Sequence, residues 1–247
     1  MEICIDIETL RAPKTYLDDL IKESKTNFKA PSTLSKSQAA QDLGLTDDKE
    51  IKFTSKDDMI ARWVSELADK KAEPMAVEQW KKTSFNPELS PIACISIKTQ
   101  FTTADFYTSE FVNEGEMLEQ FHDAINSMTH ANGAQISKPY FIGHNIGKFD
   151  LPFIYKRSVI NNVKPCSGVK WIDGRHGQHH FCTMLAWAGF GNRISADNLC
   201  KLLGITGKGD MDGSKVYDEW QKNPQKVIEY CADDVRMVSE LHKRLTS

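Results

Sequence analysis

Asp6 and Glu8 stand two residues apart in the run Glu2-Ile3-Cys4-Ile5-Asp6-Ile7-Glu8, which alternates with the period of a β-strand. Ile3, Ile5 and Ile7 then share one face, and Cys4, Asp6 and Glu8 share the other. The two carboxylates lie on one side, ~7 Å apart along the chain. A strand whose other face is all isoleucine lies near the core, and buried acids are costly without partners, so cations or basic side chains must meet these two. The plain alternative is an exposed strand face that happens to carry two acids.

A third acid, Asp150, ends the run His144-Asn145-Ile146-Gly147-Lys148-Phe149-Asp150. This run follows an apolar strand over Pro139–Gly143 and enters a helix expected from about Gly147 to Ile160. Asp150 falls in the first helical turn, where aspartate is favoured by the helix dipole alone. Phe153 and Ile154, one turn on, anchor the helix to the sheet. A fourth acid belongs to Tyr230-Cys231-Ala232-Asp233-Asp234, inside an amphipathic helix expected over Pro224–Arg244. Ile228, Cys231, Val235 and Val238 form its core stripe. Tyr230 and Asp234, at i and i+4, share an adjacent face. Asp233, at i+3, lies close to that face, so helical spacing leaves both acids open. The alternative here is a tyrosine and an aspartate on a solvated flank.

Several elements must position these groups. Strands are expected at residues 2–8, 92–97, 104–108 and 139–143, with a short one at 181–185. Helices are expected near 14–24, 36–43, 56–71, 75–82, 114–128 and 195–203, besides the two already named. The mixed order predicts one α/β domain over residues 1–247, carrying a helical insertion of unknown role at about 10–90. Residues 34–46 have a helix-turn-helix flavour. Asp47 and Asp48 would open its second helix and repel phosphates, so no such motif is expected.

Composition sets the frame. Of 247 residues, 40% are hydrophobic and 26% charged, which suits a soluble chain with a real core. No apolar run approaches the ~20 residues of a membrane span, and the first ten residues do not read as a signal peptide. Six cysteines without a paired CxxC spacing predict reduced thiols in a cytoplasmic protein. His176, His179, His180 and Cys182 lack a second ligand pair at a familiar zinc spacing. The net charge of −3 divides unevenly: residues 138–209 hold ten Lys or Arg and three acids, leaving 21 basic and 31 acidic residues elsewhere. A local basic surface on an acidic body can contact phosphates or simply be solvated.

In chain order the acidic segments match D-x-E, H-N-x-x-x-F-D and Y-x-x-x-D. On these residues the chain resembles the DEDD exonucleases of the tyrosine subtype, in particular stand-alone relatives of the proofreading domain of family B DNA polymerases. Leu199–Ile205 and Gly207–Val216 extend the resemblance, which covers residues 1–9 and roughly 90–245. It implies a ribonuclease H-like fold with a central mixed sheet flanked by helices. It also implies two Mg²⁺ or Mn²⁺ ions: Asp6, Glu8 and Asp234 on one, Asp6 bridging to a second that Asp150 approaches, and Tyr230 orienting the attacking water. Four carboxylates suit such hard cations. The implied reaction is 3′–5′ hydrolysis of single-stranded DNA, releasing 5′-mononucleotides. His144, Asn145, Lys148, Phe149, Arg157 and Lys208 are the expected substrate contacts. Cys182 stands where such proteins often carry an aspartate, which puts a secondary acid there in doubt. A 3′–5′ exoribonuclease, a nucleic-acid-binding module without catalysis and a structural protein remain as other readings.

Overall fold

The computed structural model describes residues 1–207, 209 and 211–247, so Lys208 lies outside the described residues. The chain divides into two compact units, Met1–Leu10 with Phe85–Ser247, and Arg11–Ser84. Among the described residues no helix is long and apolar enough to cross a membrane.

The first unit begins with β1 (Glu2–Thr9). The second unit is all helical: α1 (Lys14–Thr26), α2 (Lys36–Asp42), α3 (Asp48–Phe53) and α4 (Lys56–Lys82). Its core gathers Leu34, Ala39, Ala40, Met59, Trp63 and Leu67, with Phe28 stacked on Trp63 at 5.5 Å. The sequence suggests two helices where α4 is one. Pro74 removes one backbone donor, but Leu67 and Ala72 before it and Ala76 and Trp80 after it are all buried, and that burial carries the helix through. Asp47 caps α3, and Asp48 and Glu50 fill its first turn, which gives this short helix an acidic start.

The first unit continues with β2 (Ile92–Lys98), β3 (Thr103–Tyr107), α5 (Glu114–Thr129), a small hairpin of β4 (His130–Ala131) and β5 (Ala134–Gln135), and β6 (Tyr140–Gly143). Then come α6 (Asp150–Ile160), β7 (His180–Cys182), α7 (Thr183–Ala188), α8 (Ala196–Leu203), α9 (Val216–Trp220) and α10 (Pro224–Thr246). Five strands form one sheet in the order β3-β2-β1-β6-β7. β3, β2 and β1 run antiparallel, and β1, β6 and β7 run parallel. This is the mixed sheet that the sequence predicts.

The alternation in β1 decides what covers each face. Ile3, Ile5 and Ile7 are buried with Met117, Leu118, Phe121 and Ile125 of α5 and with Leu151, Phe153 and Ile154 of α6. A capping box between Asn113 and Glu116 fixes the start of α5 by satisfying backbone donors that a helix end leaves open. On the opposite face Cys4 and Ile142 pack against Val235 and Val238 of α10. Cys94 packs there with Ile228 and Cys231. The amphipathic stripe of α10 thus lies on the side of β1 that carries its carboxylates. Two boundaries differ from the sequence reading. The stretch 181–185 divides, with the strand ending at Cys182 and α7 starting at Thr183, and α6 begins at Asp150 rather than near Gly147.

Candidate active site

Asp6 and Glu8 are partly buried beneath α10. Cys231, on the core stripe of α10, donates its thiol to the Asp6 carbonyl at 3.4 Å and ties the helix to the strand. One turn of α10 then brings Asp234 over the pair, so that carboxylate oxygens of Asp6, Glu8 and Asp234 lie within 4.8 Å of one another. Tyr230 is buried and hydrogen-bonded to the Asp234 carboxylate. Burial, and then the charges of Asp234, Glu8 and Asp6, push its phenol well above the ordinary range, so it keeps its proton at neutral pH. Asp233 points elsewhere. It is exposed and pairs with Arg236 at 3.2 Å. Of the two neighbouring acids, the fold sets Asp234 beside Asp6 and Glu8.

Asp150 is not one of the three within 4.8 Å and approaches them by a different route. β6 pairs with β1 only from Glu2 to Cys4, and further along β1 the Ile7 N–H donates to the Asp150 carboxylate. Between Asp6 and Glu8 in sequence, that contact sets Asp150 beside the cluster. Its carboxyl is buried, and Oδ2 has no hydrogen-bond partner among the described residues. Burial raises its pKa to about 7, the backbone N–H groups of Asp150 and Ile7 oppose the rise, and the Asp234 charge adds to it. A buried, unmatched oxygen beside three converging carboxylates is an arrangement that cations would stabilise. An all-oxygen donor set with no thiolate or imidazole fits hard divalent ions of the Mg²⁺ or Mn²⁺ kind.

The expected substrate contacts separate into two groups. Asn145 turns the chain with a left-handed backbone (φ 66°), a conformation asparagine tolerates better than most residues. Its carbonyl accepts from the Lys148 and Phe149 N–H groups, and this turn delays the start of α6. Lys148 is exposed, with Nζ 5.7 Å from the Phe190 ring centre. Phe149 is half-buried and packs against Phe153 and Phe85 at 5.3 and 6.3 Å. These three lie in the loop that leads into Asp150 at the start of α6.

His144 and Arg157, also expected as substrate contacts, have partners inside the fold. His144 bonds through Nδ1 to Thr183 Oγ1 at 2.9 Å and through Nε2 to the Ile194 carbonyl at 2.8 Å. Both ring nitrogens thus tie the loop to the fold. The Arg157 guanidinium donates from Nε to Glu114 at 2.9 Å and from Nη1 to the Pro87 carbonyl at 3.1 Å, and Glu114 also accepts from the Ile92 N–H. The ion pair is about nine-tenths buried, with side chains 11% and 10% exposed. Glu114→Ala should cost about 3–5 kcal/mol in denaturant unfolding, because it strands a buried guanidinium. Arg157→Ala should likewise lower stability and leave the salt dependence of strand binding unchanged. A flattened salt slope with unaltered stability would return Arg157 to the strand-binding surface.

Residues 87–239 match the family described as predicted 3′–5′ exonucleases related to the exonuclease domain of PolB. The chain belongs to this family. Asp150, Tyr230 and Asp234 fall inside the span shared with these PolB-related exonucleases, whereas Asp6 and Glu8 precede it, so the folded chain assembles its acidic cluster from both. Comparison with the curated proteins gives no match. Among solved structures, the chain is similar to the family B DNA polymerase from the hyperthermophilic archaeon Pyrobaculum calidifontis, with a TM-score of 0.55 and 13% identity. The similarity covers 99% of this chain and 24% of the polymerase, so the chain spans a minor part of that enzyme's length. At this identity the likeness shows the fold, which is α/β and ribonuclease H-like.

Proposed function

We propose that the protein is a DEDD exonuclease of the tyrosine subtype, removing 5′-mononucleotides from the 3′ end of single-stranded DNA with two Mg²⁺ or Mn²⁺ ions. The observation that carries this reading is the convergence of Asp6, Glu8 and Asp234 oxygens within 4.8 Å, with the unmatched Asp150 carboxyl beside them. Asp6, Glu8 and Asp234 would hold one ion, and Asp6 and Asp150 the second. When bound, such a pair supplies Lewis acidity to the attacking and leaving oxygens of an in-line displacement. The chain's own groups do the rest. Tyr230 keeps its proton and so acts as a hydrogen-bonding guide for the attacking water, not as a base. The Asn145–Phe149 loop borders the site, where Lys148 would meet a phosphate and Phe149 a base. All six cysteines are buried thiols, which supports a reducing, cytoplasmic setting.

The test is degradation of a 5′-labelled single strand. DNA and its RNA counterpart are compared with Mg²⁺, with Mn²⁺ and with chelator, alongside substrates blocked at either end. We expect a ladder shortening from the 3′ end, abolished by chelator and by a 3′ block, with blunt duplex cut more slowly because fraying costs stacking energy. Preferential shortening of the RNA would replace DNA by RNA in this reading, and equal shortening of 5′- and 3′-blocked strands would overturn the polarity. Tyr230→Phe should lower kcat by roughly 10–100-fold while substrate affinity holds, because the hydroxyl guides water rather than binds the strand. A rise in KM with unchanged kcat would place Tyr230 in binding instead.

A further inference from the structure

Beside the Asn145–Lys148 loop lies a cleft of about 460 Å³, with walls that include Met184, Leu185 and Phe190 and with Lys148, Arg175, His176 and His180. We propose that this cleft is a second nucleotide site, holding the base and phosphate of a nucleotide other than the one being cleaved. The proposal rests on the reading of the chain as a single-strand exonuclease and extends it.

Its volume lies within the range of small-ligand pockets, and a mostly apolar wall with a few polar groups is their usual composition. None of the lining residues is acidic, in contrast to the carboxylate cluster nearby. An anionic ligand would meet two cations here and no like charge. Phe190 is 90% exposed, and the Lys148 ammonium lies 5.7 Å from its ring centre. An aromatic face beside a cation is what an unpaired nucleotide uses, stacking its base while the cation takes the phosphate.

The polar edge of the cleft is histidine. His176 accepts the Cys182 N–H at Nδ1, at 2.9 Å, which leaves a neutral ring its proton on Nε2. Burial holds both His176 and His180 below the ordinary histidine range. His180 is 2% exposed, and its Nδ1 has no hydrogen-bond partner among the described residues. His176, exposed and lining the cleft, carries its Nε2–H as a donor of the kind a base edge accepts, whereas His180 Nδ1 is closed off from solvent. The ring also rests against Gly147, where a Cβ would come within 2.5 Å of His180 Nε2. Gly147 therefore lets the cleft press directly against the loop that ends in Asp150.

Position separates this cleft from the reacting phosphate. β1, β6 and β7 run parallel, so Glu8, Gly143 and Cys182 mark the C-terminal ends of neighbouring strands on one sheet edge, where ligands of α/β sheets gather. The carboxylates centre on β1 and the cleft on β7, two strands or about 10 Å away. One strand of nucleic acid can lie along that edge and occupy both.

The experiment measures equilibrium binding of 5′-fluorescein oligothymidylate with Ca²⁺ in place of Mg²⁺, for wild type, Phe190→Ala and Arg175→Ala, with thermal melting to confirm folding. We expect Phe190→Ala to weaken binding roughly tenfold through lost stacking. Arg175→Ala should weaken it and make the salt slope shallower by about 0.7. Competition by dTMP that disappears in Phe190→Ala would identify a free nucleotide as the occupant, and competition unaffected by the substitution would identify a nucleotide of the strand. Wild-type affinity and salt slope in both folded variants would overturn the second site while leaving the exonuclease reading intact. A wild-type protein that neither binds nor shortens the strand would overturn both.

Discussion

Asp6→Asn, Glu8→Gln and Asp234→Asn should each reduce turnover by roughly 10³-fold or more, while Asp233→Asn retains most activity and all four variants stay folded. The contrast between residues 233 and 234 makes this a test of geometry rather than of acidity. Asp234 contributes an oxygen to the group within 4.8 Å. Asp233 is exposed and spends its charge on Arg236, whose guanidinium also reaches the Thr206 and Gly207 carbonyls. Losing a surface pair of this kind changes stability by ~1 kcal/mol at most. Steady-state rates on a 5′-labelled single strand, with protein purified free of host nucleases, decide the matter. Wild-type trimming by Asp6→Asn would sink the two-ion mechanism. A dead Asp233→Asn beside an active Asp234→Asn would show that the α10 register is shifted by one residue.

The parts of the site legible in the sequence are those fixed by local periodicity. Period two in residues 2–8 assigns Ile3, Ile5 and Ile7 to one face and Asp6 and Glu8 to the other, and helical spacing assigns Cys231 and Val235 to the core beside Tyr230 and Asp234. The sheet and α10 realise both patterns. What periodicity misses is long-range engagement. Arg157 reads as a free cation because its partner, Glu114, stands 43 residues away. His144 reads as a strand contact because Thr183 and Ile194 lie 39 and 50 residues on. Phe190 carries no periodic signal and gains meaning only when folding sets it beside Lys148. Asp150 is the intermediate case. Its place in the first turn of α6 is readable, but its contact with Ile7 and its burial depend on β6 stopping short of the end of β1.

That burial gives Asp150 the second large effect, in which activity and metal-free stability move in opposite directions. Asp150→Asn should lower nuclease turnover by orders of magnitude, since it removes the carboxylate that would face the proposed second ion. In the metal-free protein the same substitution should stabilise. The folded carboxyl has its pKa raised to about 7, mainly by burial, against about 3.9 in an unfolded chain. The native state therefore holds a proton that the unfolded state has released. The contribution of Asp150 is most favourable below about pH 4 and is lost as pH rises through about 7. Asparagine stays neutral throughout and keeps one oxygen for the Ile7 N–H. With chelator present, calorimetry should find wild type and Asp150→Asn melting close together at pH 4. At pH 8 the variant should melt higher by on the order of 5 °C, equivalent to roughly 2 kcal/mol in a chain of this size. Millimolar Mg²⁺ at pH 8 should then raise the wild-type melting temperature, because an ion that binds only the folded state stabilises it, and should raise that of the variant much less. A variant less stable than wild type at pH 8 without metal, or an equal response of both proteins to Mg²⁺, would mean that Asp150 is not the strained ligand that its burial indicates.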